Sequence, residues 1–218
     1  MRMKLLLANP NATERVTRAC AQLARAVALP DTDVAEWTNR GGPAVIDSYE
    51  TDAAAARAVV SGLATLRPTP DAVVLAGFGD YGTRGVKEAL DVPVVGLPEA
   101  AFAYAVALRD AFAIVTTSSR MIGYTQNLVQ KLGFAARCRG VCAIELPPIE
   151  AGEPPADELV PKLANAAMSA GADVVILGGS RLSPYADALR ESIALTVVEP
   201  VACAVTLAES LVRIGARA

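Results

Sequence analysis

The sequence predicts an α/β protein built as two similar parallel-sheet domains, with a site where the two halves meet. Three observations carry that prediction. Short apolar, β-rich runs alternate with helical segments along the whole chain. The core vocabulary is aliphatic, with 53% hydrophobic but only 5% aromatic residues. A segment of the first half also recurs in the second at an offset of 102 residues: Asp71-Ala-Val-Val-Leu-Ala-Gly77 aligns with Asp173-Val-Val-Ile-Leu-Gly-Gly179, Pro98 with Pro200, and Ala101 with Cys203. At 218 residues the chain is long enough for two domains of about 100 residues each.

Taken in order, Lys4–Ala8 reads as a buried strand closed by the turn Asn9-Pro10-Asn11. Asn11 or Thr13 can cap the helix that runs to about Leu29, and Glu14 in its first turn suits the helix dipole. Asp33–Thr38 is a strand, 39–43 a glycine-rich loop, and Thr51–Leu66 a helix broken by Pro68 and Pro70. Val73–Ala76 and Pro93–Gly96 are strands, and Glu99–Arg109 is a helix. The scheme then repeats with strand Phe112–Thr116, helix Ser118–Leu132 and strand Arg139–Leu146. The Pro-rich loop Pro147–Pro155 leads to helix Glu158–Ala170 and strand Val174–Leu177. Helix Leu182–Arg190, strand Leu195–Val198 and helix Val201–Ile214 close the chain. The repeat places the domains at 1–97 plus 201–218 and at 98–200, with a terminal helix exchanged across the boundary.

Composition excludes several functions. A net charge of −3 and a pI near 5.1 provide no basic face for nucleic acid. No apolar stretch is long enough to span a membrane, and the N-terminus turns polar too early for a signal peptide. The cysteines Cys20, Cys138, Cys142 and Cys203 lack a secreted framework, which suggests a reduced, cytoplasmic protein. Two cysteines lie in helical segments and two flank a strand start, where small buried side chains are the simpler account. The chain contains no histidine. That removes histidine triads, histidine metal sites and the commonest general base, and leaves no metal or cofactor signature.

In parallel sheets, ligands sit beyond the carboxyl ends of the strands. The turns there are Asn9-Pro10-Asn11, Gly77-Phe78-Gly79-Asp80, Thr116-Thr117-Ser118, Gly178-Gly179-Ser180 and Glu199-Pro200. Singly, such residues are ordinary turn and cap residues. Jointly, at symmetric positions in two halves, their hydroxyls, amides and N–H groups suit a small anion or a carbonyl compound acquiring negative charge. Gly77-Phe-Gly-Asp-Tyr-Gly82 also matches a G-x-G-x-x-G pattern, but Asp91 precedes its strand, where a dinucleotide fingerprint needs an acidic residue closing it.

The runs Asn9-Pro10-Asn11-Ala12-Thr13, Gly42-Pro43-Ala44-Val45-Ile46 and Ala76-Gly77-Phe78-Gly79-Asp80 resemble the hydantoin racemase branch of the aspartate/glutamate racemase superfamily. So do Val115-Thr116-Thr117, Leu177-Gly178-Gly179 and Val198-Glu199-Pro200-Val201-Ala202, and the resemblance runs in order through nearly the whole chain. It implies cofactor-independent racemisation at the carbon next to a carbonyl, on a hydantoin, another amino-acid derivative or a small carboxylate; separately, exposed apolar helix faces suggest a homo-oligomer. The resemblance also implies two cysteines facing that carbon from opposite sides, and those cysteines fall on Gly77 and Gly179.

The two-thiol mechanism as such is therefore absent, and three accounts remain open. The chain uses other groups, among which Asp80, Tyr81, Ser180, Tyr185, Glu99 and Glu199 lie near strand ends. It binds a carboxylate or ureide without turnover. Or its cysteines were replaced. If chemistry survives, the resemblance places Pro10, Asn11, Phe78, Gly79, Thr116, Thr117, Ser118, Gly178, Ser180 and Glu199 around the substrate, with Asp80 the nearest candidate for proton transfer.

Overall fold

The computed structural model describes residues 2–148 and 151–216, so Ile149 and Glu150 of the expected Pro-rich loop lie outside the described residues. Two compact units form, Met1–Ala100 with Val201–Ala218, and Ala101–Pro200. Each holds one four-stranded, wholly parallel sheet.

In the first unit the strands are β1 (Met3–Asn9), β2 (Thr32–Thr38), β3 (Ala72–Leu75) and β4 (Val94–Gly96), in the order β2-β1-β3-β4. In the second they are β5 (Phe112–Thr116), β6 (Cys138–Ala143), β7 (Val174–Gly178) and β8 (Thr196–Val198), in the order β6-β5-β7-β8. The two orders are the same pattern, so the sequence repeat is also a repeat of topology. The central strands β1, β3, β5 and β7 bury almost every residue, as strands covered on both faces must.

The helices are α1 (Glu14–Val27), α2 (Tyr49–Ala64), α3 (Thr83–Ala89), α4 (Leu97–Leu108), α5 (Met121–Lys131), α6 (Ala156–Ser169), α7 (Ala186–Ser192) and α8 (Pro200–Arg213), with a 3₁₀ helix at Ser180–Tyr185. Thr13 occupies the cap position of α1 but caps nothing with its side chain, because its hydroxyl donates to the Ala44 carbonyl instead. A capping box that the sequence reading passed over starts α2: Ser48 Oγ accepts the Thr51 N–H, and Thr51 Oγ1 accepts the Ser48 N–H. Helix α3 was not expected. Its core on the first unit's sheet joins Val86 and Leu90 to Leu6, Val73, Val59 and Leu63.

Most of α8 belongs with the first unit, where buried Glu209 accepts the Leu29 N–H at 2.9 Å and the Thr32 hydroxyl at 2.6 Å. Most of α4 belongs with the second unit, where Phe102 stacks on Phe112 at 5.3 Å and meets Phe134 edge-on at 5.4 Å.

Candidate active site

Parallel pairing aligns the carboxyl ends of adjacent strands and thereby gathers the turns that leave them. In the first unit Ala8 is in register with both Trp37 and Leu75, and Ala76 N–H donates to the Ala8 carbonyl at 2.8 Å. The Asn9-Pro10-Asn11 turn and the Gly77 turn therefore leave the sheet side by side. In the second unit Thr116 is in register with Ala143 and Gly178, so the Thr117-Ser118 and Gly179 turns are likewise neighbours.

The Gly77 and Gly179 turns have the same backbone device. Gly77 N–H donates to the Leu75 carbonyl at 2.9 Å, and Gly179 N–H to the Leu177 carbonyl at 2.8 Å. Each such bond reverses the chain within three residues. The following amides differ in their duties, since no acceptor among the described residues meets the N–H groups of Gly79, Ser180 and Arg181. Unsatisfied amides at a strand end are donors for a ligand oxygen.

The Asn9 turn is held from within. Asn9 is fully buried, its Oδ1 accepts the Asn11 N–H at 3.1 Å, and its Nδ2 donates to Thr17 Oγ1 and Asn11 Oδ1, both at 3.0 Å. Asn39, also buried, donates its Nδ2 to the Pro10 carbonyl at 2.8 Å and pins Pro10 from behind. Asn11 Oδ1 accepts the Thr13 N–H at 2.9 Å, so the Asn11 side chain shapes the turn that carries it.

Gly77, Phe78 and Gly79 are buried and Asp80 is half-buried. Space around Gly77 is already filled: a Cβ there would collide with Tyr81 Cε2 and come within 2.7 Å of Pro10 Cγ. Tyr81 itself is buried with φ 44°, and Gly82 beyond it has φ 76°, a left-handed pair that glycine tolerates and tyrosine adopts at a cost. The Tyr81 N–H donates to Asp52 Oδ1 at 3.3 Å. Burial, and then the Asp52 charge, push the Tyr81 phenol well above the usual phenol range.

Around Gly179 there is more room, since a Cβ would meet only Thr117, with its Cγ2 at 2.8 Å. Thr116 is buried and donates its hydroxyl to the Gly178 carbonyl at 3.1 Å, bracing β5 against β7. Thr117 and Ser118 are half-buried. Glu145 accepts the Ser119 N–H at 2.7 Å, and that bond, with further ones to Ser119 and Ser118, holds its carboxyl below the usual carboxylate range. Glu199 is buried and accepts the Ser183 hydroxyl at 2.5 Å. Glu99 is paired with Lys87 at 2.9 Å. Tyr185, 6% exposed, donates its hydroxyl to the Pro154 carbonyl at 2.6 Å, beside the Arg181–Glu153 ion pair at 2.8 Å.

The cysteines lie elsewhere. Cys20 and Cys203 are buried in α1 and α8. Cys138 and Cys142 sit half-buried on β6, the latter donating to the Ile114 and Ala166 carbonyls, and burial raises both thiols. Among the described residues no group of three or more histidine, cysteine or acidic side chains is arranged to hold a metal, and no helix is long and apolar enough to cross a membrane.

Sequence reasoning reached the turns but assigned no structural part to Asn39, Asp52 or Glu145, and named Tyr81 only as one of six candidate groups near strand ends. Asparagine and aspartate abound in loops, so a residue type alone could not mark which would be pinned.

Comparison with known proteins agrees with this geometry. The profile of the family described as Asp/Glu/Hydantoin racemase matches residues 5–208. A hydantoin racemase of Paenarthrobacter aurescens is 32% identical over 221 residues, covering 98% of this chain and 92% of that protein. Among solved structures, an allantoin racemase from Klebsiella pneumoniae superposes with a TM-score of 0.92 at 30% identity, covering 99% of this chain and 89% of that one. An allantoin racemase from Pseudomonas fluorescens gives 0.88 at 31% identity, covering 99% and 93%.

Proposed function

Because the chain belongs to the Asp/Glu/Hydantoin racemase family, we propose that it is a cofactor-independent racemase of cyclic ureides, exchanging the proton on the carbon between a ring nitrogen and a carbonyl, without a thiol at either turn. Hydantoins substituted at C5, and allantoin, are the substrates in view. The observation that carries this reading is the pair of like turns at Gly77 and Gly179, each closed by the same short hydrogen bond at the end of the third strand of its sheet. Chain-long similarity to hydantoin and allantoin racemases supports the substrate class.

Proton abstraction from C5 places negative charge on the neighbouring carbonyl oxygen. The amides of Gly79, Ser180 and Arg181 are donors of the kind that stabilises such charge, each worth about 3 kcal/mol when preorganised. Asn11, Phe78, Thr117, Ser118 and Ser180 are assigned to substrate contact. Asp80 is assigned as the group that accepts the proton from C5, being the carboxylate within the Gly77 turn; the planar enolate then takes a proton from solvent water on its opposite face, which inverts the carbon, and Asp80 gives its proton up to solvent. Four free cysteines fit a cytoplasmic setting, and the exposed Val45, Tyr49, Leu108 and Met168 fit assembly into a homo-oligomer.

The test starts from each pure enantiomer of a 5-substituted hydantoin and of allantoin, followed by chiral chromatography against an enzyme-free blank. Convergence of both enantiomers to the racemate faster than the blank, slowed at least about 100-fold by Asp80→Asn, is the expected result. Blank-rate racemisation of every substrate would overturn it.

A further inference from the structure

Three observations converge on Tyr81. Its backbone is left-handed at φ 44°, a conformation that costs a bulky residue about 1–3 kcal/mol and persists only where the surroundings impose it. Its ring stands in the volume that a side chain on residue 77 would enter, with Cδ2 at 3.0 Å and Cε2 closer still to the position of a Cβ on Gly77. Finally, the residue is only 6% exposed, yet among the described residues the structure gives its hydroxyl no hydrogen-bond partner. Buried phenols ordinarily have one. No fully buried side-chain polar atom among the described residues is left unpaired, so this hydroxyl reaches an opening from which a partner can come.

We propose that Tyr81 is a catalytic residue, its hydroxyl donating a hydrogen bond to the carbonyl oxygen of the bound ureide in the space beside Gly77. The assignment rests on the ureide reading of the preceding subsection. The proton stays on the tyrosine oxygen throughout, since burial and the neighbouring Asp52 keep the phenol protonated across the working pH range. The donor strengthens its bond as negative charge develops on the acceptor, which favours the transition state over the ground state.

Tyr81→Phe tests this directly, because it keeps the ring beside Gly77 and removes only the hydroxyl. With a 5-substituted hydantoin, kcat is expected to fall about 100-fold or more while KM moves less than about threefold. The thermal midpoint should stay that of the wild type. A second measurement needs no variant: with 13Cζ-labelled tyrosine, saturating hydantoin should shift the Tyr81 resonance of the wild-type protein. Wild-type exchange combined with an unchanged kcat in a folded Tyr81→Phe protein overturns the proposal and leaves the ureide reading standing. A Tyr81 resonance unmoved by a hydantoin that binds does the same. A wild-type protein that neither exchanges nor binds any hydantoin or allantoin overturns both.

Discussion

Gly77 and Gly179 are equivalent in the repeat and unequal in space. A side chain on Gly77 must displace the Tyr81 ring and Pro10, whereas one on Gly179 need only turn the Thr117 methyl aside. Gly77→Cys is therefore expected to cost about 1–3 kcal/mol, and Gly179→Cys to stay within about 1 kcal/mol of the wild type. Thermal melts of the two single variants would decide it, and the reverse ranking would contradict the placement of Tyr81. The raised phenol has its own signature. A group that holds its proton more tightly when folded stabilises the fold below its unfolded value near 10 and loses that contribution as pH rises above it. Stability should thus fall above about pH 10 in the wild type, and more shallowly in Tyr81→Phe, as followed by urea unfolding across that range. The half-buried Cys138 and Cys142, with raised thiols, should alkylate more slowly at pH 8 than an unstructured cysteine peptide. Equal rates would show that β6 exposes them.

Among the elements, the strands and long helices were legible because apolar period and turn residues agreed there; bounds shifted by one to three residues at most ends. Helix α3 was not legible. It is seven residues long, opens at Gly82 in the left-handed region, contains Gly85, and buries only Thr83 and Val86, so periodicity had little to register. Its role emerges only from packing on α2 and the first sheet. The predicted cap of α1 failed for a related reason, since the Thr13 hydroxyl is drawn to a carbonyl of the distant loop at Ala44. Tertiary partners outweighed local preference. The same applies to the site: strand-end turns are visible in sequence, but the ring of Tyr81 over Gly77 is not, because nothing in the residue order says where a buried side chain will point. The docking of α8 can be tested as an element. Glu209→Ala leaves the Leu29 N–H and the Thr32 hydroxyl without their acceptor and should cost about 1–3 kcal/mol. That corresponds to a drop of very roughly 2–12 °C in the melting midpoint at this chain length, while an unchanged midpoint would show that α8 is held by its apolar face alone.

At the scale of the whole molecule, one strand pattern is used twice, and each copy ends its third strand in the same short turn. In the family such a scaffold serves proton exchange at an activated carbon, and here it lacks the thiols that the sequence resemblance implies at both turns. Whether exchange survives that loss separates a working enzyme from a bare scaffold. Deuterium incorporation at C5 of a 5-substituted hydantoin in D2O, followed by proton NMR, answers this most directly because it registers exchange on one face as well as on two. The wild-type chain is predicted to exchange C5–H faster than an enzyme-free blank, with Asp80→Asn reduced toward that blank. Exchange at the blank rate by the folded wild type, restored by cysteines at both positions 77 and 179, would contradict the thiol-independent chemistry and leave only a racemase scaffold stripped of its bases.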